Sequence, residues 1–402
     1  MRNILPNKNL LPCSKLLKSS IRFFFLLVLL SCRQSVSDRL TKNQVIPLKT
    51  DNKPVVFVPG IKGSKLEDRQ GNLRWLDAKA SLNFTNPDLR LMGDSYDLKP
   101  VGAIDRITAI PYLIDVAVYG PWLIKMSQQE GIDFYVFSYD WRKKNLGTRD
   151  QLLQFLEEIS KKYQKKPILI GHSMGGMLSL STINLKPNLV DKVIYVGVPF
   201  RGGIGYMKDL HVGNATGLNA KIQGPCRIAK YETVYGFFPR LHTWDSKDVV
   251  VDSMGKTIEL DLYNAKTWKE NTLGFYANDC KQEELPSENE LQTILDNSVK
   301  FRESLTPTKA LLKAKIPTLV VHGKNLPVRK AMTLLDNKRI QTPSAKIWDL
   351  EIAPKDMGDG SVSYANSLPP EGILYKSIFT ENEHSLMLND PLIQEQVLEF
   401  IP

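Results

Sequence analysis

The sequence predicts an α/β protein with a mostly parallel central sheet flanked by helices. Short β-branched runs alternate with helical periods, which is typical of parallel strands joined by crossover helices. Because 42% of the 402 residues are hydrophobic, a disordered or collagen-like chain is excluded. Six runs are nearly continuous in apolar character, as strands buried on both faces should be: residues 55–58, 134–138, 168–170, 193–196, 318–321 and 347–350.

Helical periods lie between and after these runs. Residues 151–163 place five apolar side chains on one stripe with charges opposite, which predicts a helix packed on the sheet: Leu152, Leu153, Phe155, Leu156 and Ile159. Pro391 is expected to begin a last helix, because proline is favoured at the first helical position.

Two stretches are too long to be simple connections. Connections in α/β units usually take about two to six residues, whereas residues 62–112 and 204–308 separate consecutive elements by far more. We interpret both as insertions that form a cap above the sheet, within one domain spanning residues 51–402. The second stretch is rich in aromatic residues, most of which we expect to fill its own small core.

The N-terminal segment has the features of a lipoprotein signal peptide. Residues 1–31 carry five of the ten excess positive charges and no acid, and residues 23–30 form an apolar core too short for the ~20 residues that span a bilayer. Leu29-Leu30-Ser31-Cys32 resembles the bacterial lipobox, in which the cysteine receives a diacylglycerol. We therefore predict a signal peptide over residues 1–31, lipid attachment at Cys32, a tether over residues 32–50, and an exported chain anchored at a bacterial membrane. The alternatives are an ordinary cleaved signal and an uncleaved anchor.

Charge, cysteine and histidine patterns argue against a nucleic-acid-binding protein and against a metal or cofactor site. Without the leader the excess charge is only half as large, so no nucleic-acid partner is predicted. No cysteine or histidine cluster has metal-ligand spacing and no glycine loop has the form that cradles phosphate, so neither metal nor cofactor is expected. Cys226 and Cys280 are either one disulfide or two isolated thiols.

A candidate nucleophile lies at Ser173. A predicted strand leads into Gly171-His172-Ser173-Met174-Gly175-Gly176, and a helical run follows. Strand, sharp turn and helix is the context of a nucleophile elbow, where the glycines let strand and helix approach closely. The alternative is a serine that only caps the helix.

A serine hydroxyl needs a base, and a histidine base needs a carboxylate. The α/β-hydrolase order of serine, acid and late histidine selects His384 among the five histidines. Asp359 lies between glycines, far enough before His384 for one strand and its turn, which we expect over residues 372–379. Asp356 is the nearest rival for the acid, with Asp349 behind it. The side chain of His172 is expected to point away across the elbow, and His322 is expected to be a packed structural residue.

The negative charge of a tetrahedral intermediate requires donors that are already in place. The backbone N–H of Met174, directly after the serine, is the usual first donor. The second should come from the loop after the first strand, Val58-Pro59-Gly60-Ile61-Lys62-Gly63, where we assign the N–H of Ile61.

Five sequence boxes, in order, resemble the lecithin:cholesterol acyltransferases and their relatives, including lysosomal phospholipase A2 and phospholipid:diacylglycerol acyltransferases. The boxes are residues 55–66, Ser138-Tyr139-Asp140-Trp141-Arg142, residues 171–176, residues 196–203 and Gly358-Asp359-Gly360-Ser361-Val362. The resemblance spans about residue 52 to the end. It implies that Asp140 and Arg142 form an architectural charged pair near the active site.

The resemblance also implies an α/β-hydrolase fold and a catalytic triad of Ser173, Asp359 and His384, with oxyanion donors at Ile61 and Met174. The implied reaction moves a fatty acyl chain from a phospholipid or other lipid ester, through an acyl-enzyme, to an alcohol or water. The two insertions align poorly with the mammalian members, so the resemblance does not identify the acyl acceptor.

The expected partners are a lipid ester substrate and a membrane surface, and the oligomeric state is left open. Two other functions remain. One is a carboxylesterase or triacylglycerol lipase without transfer activity. The other is a non-catalytic surface binding protein that kept the scaffold.

Overall fold

A computed structural model describes residues 51–402 except 77, 111–113, 246–248, 336–347 and 350–354. The predicted signal peptide, Cys32 and the tether lie outside the described residues. The described strands are β1 Lys53–Val58, β2 Ser64–Glu67, β3 Leu73–Trp75, β4 Lys99–Ala103, β5 Arg106–Ile110, β6 Ile114–Ala117, β7 Ile132–Val136, β8 Ile168–His172, β9 Val193–Val196, β10 Val250–Asp252, β11 Thr318–Gly323, β12 Leu326–Arg329, β13 Met332–Leu334, β14 Trp348–Asp349, β15 Lys355–Gly358 and β16 Lys376–Thr380.

The described helices fall mostly between and after these strands. They are α1 Ala78–Ser81, α2 Gly120–Ser127, α3 Asn145–Tyr163, α4 Met174–Leu185, α5 Gly205–Val212, α6 Pro225–Ile228, α7 Glu232–Tyr235, α8 Ala265–Glu270, α9 Glu288–Glu303, α10 Lys309–Ala314 and α11 Pro391–Phe400.

The central sheet has six strands in the order β16-β11-β9-β8-β1-β7, and every neighbouring pair is parallel. This confirms the predicted fold class. The carboxyl ends of parallel strands meet at one edge of a sheet, so the turns after β1, β8 and β9 come together there.

Both faces of this sheet are covered, which explains the continuous apolar runs. Along β1, Val56 and Val58 belong to one hydrophobic core, whereas Val55 and Phe57 belong to another. Helices α3 and α4 contribute side chains to the first core, and α2 and α11 contribute to the second. Residues at alternating positions of a strand face opposite sides, so both registers must be apolar.

The predicted strand over residues 347–350 is wrong as a member of this sheet. Trp348–Asp349 instead pairs antiparallel with β13 in a separate three-stranded sheet, and residues 347 and 350 lie outside the described residues. The sixth central strand is β16, whose side chains alternate between exposed and buried at the sheet edge. Its position agrees with the strand expected over residues 372–379 from the spacing of Asp359 and His384. A half-exposed edge strand lacks the continuous apolar run that marks the other five.

The first long stretch contains the three-stranded sheet β3-β2-β4, and Arg142 holds part of it in place. The buried Arg142 guanidinium pairs with Asp140 at 2.6 Å and donates to the carbonyl oxygens of Leu89 at 3.0 Å and Ser95 at 2.7 Å. These contacts support the architectural role implied by the resemblance, because a buried cation is stable only when paired and hydrogen-bonded.

The second long stretch is closed by a disulfide between Cys226 and Cys280, which are 54 residues apart. This settles the alternative left open by the sequence. Many of its aromatic side chains are buried in the first core, including Tyr231, Tyr235, Phe238 and Trp268. The assignment of both stretches to a cap stays a prediction. Among the described residues, no helix is both long and apolar enough to cross a bilayer.

Candidate active site

Ser173 lies in the sharp turn between β8 and α4. Its backbone has φ 53° and ψ −123°, a conformation that a residue with a side chain rarely adopts and that costs about 1–3 kcal/mol. The turn packs tightly against the loop after β1, because a Cβ on Gly175 would lie only 2.2 Å from the carbonyl oxygen of Val58. The strand, turn and helix predicted from the sequence are therefore present.

The imidazole of His384 lies between Ser173 and Asp359. Its Nε2 atom is 2.8 Å from the Ser173 hydroxyl, and its Nδ1 atom is 2.7 Å from a carboxylate oxygen of Asp359. Asp359 directly follows β15, and His384 begins a 3₁₀ turn, His384–Asn389, after β16. The structure thus brings together the three side chains that the sequence selected, and Asp359 rather than Asp356 contacts the histidine.

The Asp359 carboxylate is held in its charged form. Burial raises the pKa of this group, but the neighbouring His384 and the amides of Val362 and Ser361 outweigh burial and leave the pKa below its usual value. These amides donate to the carboxylate at 2.6 Å and 2.9 Å. An ionised Asp359 accepts from His384 Nδ1–H, which leaves Nε2 free to accept the serine proton.

Gly197, after β9, lies directly beneath the Asp359–His384 hydrogen bond. Its φ is +55°, and an added Cβ would lie 3.1 Å from both Asp359 Oδ2 and His384 Nδ1 and 2.7 Å from the sulfur of Met387. A side chain here would therefore be strained and would crowd the pair.

The proposed oxyanion donors flank Ser173. Met174 begins α4, where the first N–H groups of a helix have no intrahelical acceptor. Ile61, in the loop after β1, lines the same cavity as Ser173 and His384. The positions of both residues beside Ser173 are consistent with the roles assigned from the sequence, which stay predictions.

A cavity of about 570 Å³ opens beside Ser173. Both long stretches contribute to its wall, the first through Lys62, Trp75 and Ile104, and the second through residues that include Ile204, Tyr206, Asp209, Thr216, Gln223 and Phe237. The wall thus combines apolar and polar groups, as is common for pockets that orient a largely apolar ligand.

An ion pair connects the loop after β1 to α5. The Lys62 ammonium lies 2.9 Å from Asp209, with the two side chains 17% and 15% exposed, and 5.4 Å from the ring centre of Tyr206. Because Lys62 directly follows Ile61, this pair fixes the segment that holds one proposed oxyanion donor.

Sequence reasoning placed His172 wrongly. Its side chain does not point away from the site but hydrogen-bonds Tyr119 and the backbone carbonyl of His384, at 2.7 Å and 2.9 Å. No sequence pattern signals this contact, since it joins three distant segments. His322 is buried and bonds Ser367 at 2.7 Å, in agreement with a packed role. Within the described part of the chain, no cluster of histidine, cysteine or acidic side chains could hold a metal ion.

The sequence is similar to one protein family and to several of its relatives. The family model for lecithin:cholesterol acyltransferase matches residues 117–348. YJR098C of Saccharomyces cerevisiae, an uncharacterized protein, is 33% identical over 150 residues, which cover 36% of this chain and 23% of that protein. The phosphatidylcholine-sterol acyltransferase of Rattus norvegicus is 26% identical over 257 residues, which cover 51% of this chain and 57% of that enzyme. The chain therefore spans less than two thirds of either relative.

The solved structure of the Tle4–Tli4 complex contains a similar fold. The TM-score is 0.55 at 14% identity, over 88% of this chain and 98% of that one. At this identity the likeness concerns the fold alone. The family model covers more than half of the 402 residues and includes the Ser173 elbow described above. The chain therefore belongs to the lecithin:cholesterol acyltransferase family.

Proposed function

We propose that this protein is a serine-dependent lipid acyltransferase or acylhydrolase, which moves a fatty acyl chain from a phospholipid or other lipid ester to an alcohol or to water. One observation carries the proposal: the hydrogen-bonded series Ser173, His384 and Asp359 opens onto a cavity of about 570 Å³. Family membership supports the choice of a lipid ester.

In the first half-reaction, His384 Nε2 takes the proton of the Ser173 hydroxyl while its oxygen attacks the ester carbonyl. The amides of Ile61 and Met174 stabilise the oxyanion, and Asp359 stabilises the imidazolium. The imidazolium then returns the proton to the leaving alcohol, and Ser173 keeps the acyl chain as an ester. In the second half-reaction, an alcohol or water gives its proton to His384 and attacks the acyl-enzyme.

A chemical label tests the nucleophile. A fluorophosphonate should modify Ser173 with one label per chain, and Ser173→Ala should remove both the label and the turnover of a p-nitrophenyl ester. Wild-type protein that is folded yet neither labelled nor active would instead favour a binding protein on the same scaffold.

Transfer and hydrolysis differ only in the second nucleophile. Transfer requires water to be excluded from the acyl-enzyme while the alcohol enters. Phospholipid vesicles offered with and without a long-chain alcohol or sterol separate the two, because transfer yields the ester of the added alcohol. Free fatty acid as the only product under both conditions would indicate a lipase or esterase without transfer activity.

We also propose that the cavity opens toward a lipid surface. Residues 214–217 line the cavity, and the flanking Val212 and Leu218 are 58% and 64% exposed. The amide of Leu218 donates to the carbonyl of Ser81 at 2.8 Å, which brings the loop containing Phe84, 78% exposed, to the same region. Exposed apolar side chains beside a lipid-ester site favour contact with a bilayer.

Vesicle binding tests this surface. Val212→Asp and Leu218→Asp should weaken cosedimentation with anionic vesicles and lower turnover of vesicle-borne lipid, but should spare a soluble ester. Met254→Asp is the matched control, because Met254 is 92% exposed and does not line the cavity. Equal effects of all three substitutions would contradict a specific surface.

The lipobox motif supports a lipid anchor at Cys32 on the exported protein. Metabolic labelling with palmitate should mark the wild-type chain and not Cys32→Ala. Label incorporated equally by both proteins would exclude this anchor site.

A further inference from the structure

We propose that Tyr119 and His172 are positioning residues that hold the backbone of His384 and the loop after β1 in register. The inference rests on the proposed function. We call the series Gly60 amide, Tyr119 hydroxyl, His172 imidazole and His384 carbonyl the positioning chain.

Three short hydrogen bonds make up the positioning chain. The Gly60 amide is 3.0 Å from the Tyr119 oxygen, which is 2.7 Å from His172 Nδ1, and His172 Nε2 is 2.9 Å from the carbonyl oxygen of His384. Tyr119 and His172 are 2% and 4% exposed, so water cannot readily replace these contacts.

The partners determine the direction of every bond. A carbonyl oxygen only accepts, so His172 Nε2 carries the hydrogen and Nδ1 must accept. The Tyr119 hydroxyl therefore donates to Nδ1 and uses a lone pair to accept from the Gly60 N–H. A single tautomer of His172 satisfies the whole series.

His172 is also held neutral. Burial lowers the pKa of His172 to about 3, and the nearby His384 ring adds to this effect. The two ring centres are 4.8 Å apart. Since His384 becomes positively charged during acyl transfer, a charged neighbour would oppose that step, whereas a neutral ring can bind the carbonyl without repulsion.

Both ends of the positioning chain lie at residues with a proposed role in catalysis. Gly60 precedes Ile61, the proposed oxyanion donor, and the other end holds His384 itself. A neighbouring contact strengthens the link, because Asn389 donates to the carbonyl of Val118, the residue before Tyr119, at 2.9 Å. Small displacements of reacting groups can cost about a hundredfold in rate, so we expect these contacts to affect turnover.

The alternative is that both rings only fill the core. Tyr119 packs edge-on against Phe57 with ring centres 5.1 Å apart, and it belongs to a hydrophobic core. Tyr119→Phe keeps this packing and removes only the hydroxyl. Tyr195→Phe is the matched control, because Tyr195 is also buried and its hydroxyl has no hydrogen-bond partner among the described residues.

The decisive measurement is turnover of a soluble ester per active site titrated with fluorophosphonate. Tyr119→Phe and His172→Phe should lower kcat per titrated site by about tenfold to a hundredfold while KM stays within about twofold. His172→Gln should recover much of this loss, because its amide N–H can replace Nε2–H. Tyr195→Phe should be unchanged. The acid limb of the kcat–pH profile should lie at the same pH in His172→Phe as in the wild type, since His172 is already neutral over that range.

Two results would overturn the inference. One is an unchanged kcat per titrated site in Tyr119→Phe. The other is that Tyr119→Phe loses folded, titratable protein, which would assign a structural role. Failure of the proposed function itself looks different, because wild-type protein would then show neither label nor turnover.

Discussion

The Ser173 hydroxyl and the His384 imidazole lie 2.8 Å apart, although 211 residues separate them in the chain. The turn after β8 fixes the serine, and the turn after β16 fixes the histidine, at the same edge of a parallel sheet. Gly197 lies beneath the histidine and its carboxylate partner, where no side chain could fit without strain. The geometry therefore depends on three turns rather than on local sequence.

Asp359→Asn should lower turnover by about four powers of ten, because an amide favours the wrong tautomer of His384. Steady-state kinetics with a p-nitrophenyl ester measure this loss. Asp356→Asn is the control on the adjacent strand β15 and should change turnover by no more than about twofold. A larger loss of turnover for Asp356→Asn than for Asp359→Asn would show that the assignment of Asp359 as the acid is wrong.

The stability of the protein should fall in mild acid partly through His322. Burial lowers the pKa of His322 to about 4, whereas the pKa of a histidine in the unfolded chain is about 6.5. Between these values only the unfolded chain takes up the proton, so the free energy of unfolding falls as the pH falls.

Urea unfolding at a series of pH values checks this dependence. His322→Gln should flatten the slope between about pH 6.5 and pH 4, by up to one proton. Parallel slopes for wild type and His322→Gln would refute the prediction.

The Lys62–Asp209 pair should stabilise the protein more than an exposed pair does. Both side chains are largely buried and 2.9 Å apart, whereas the pair of Lys186 and Glu157, at 2.7 Å, is 55% and 43% exposed. Exposed pairs contribute about 0–1 kcal/mol. Double-mutant cycles that replace each lysine by Met and each acid by Gln measure the coupling energy of both pairs. We expect a larger coupling energy for Lys62 and Asp209 than for Lys186 and Glu157, and equal values would contradict the expectation.

Removal of the Cys226–Cys280 disulfide should lower the free energy of unfolding by about 2–4 kcal/mol, because the bond closes a loop of 54 residues. Thermal and urea unfolding of the Cys226→Ser, Cys280→Ser double variant measure the loss. A reductant should destabilise the wild type and leave the variant unchanged. Identical stability of both proteins would show that the bond does not constrain the chain.

The sequence by itself determined the local features of the site. Strand, glycine turn, serine and helix follow from periodicity and from positions where only a small residue fits, so Ser173 was identified from adjacent residues. The order of acid and histidine along the chain then selected His384 and favoured Asp359, while the structure excluded the rival Asp356. Five of the six central strands were found because burial on both faces requires unbroken apolar runs.

Only the tertiary structure decided how distant segments meet. It made β16 the sixth strand of the central sheet and put Trp348–Asp349 in a separate sheet, although β16, exposed on one face at the sheet edge, has the weaker apolar signal. It turned His172 toward Tyr119 and the His384 carbonyl, and it paired Cys226 with Cys280. These contacts join residues far apart in sequence, and their geometry depends on packing that no local pattern encodes.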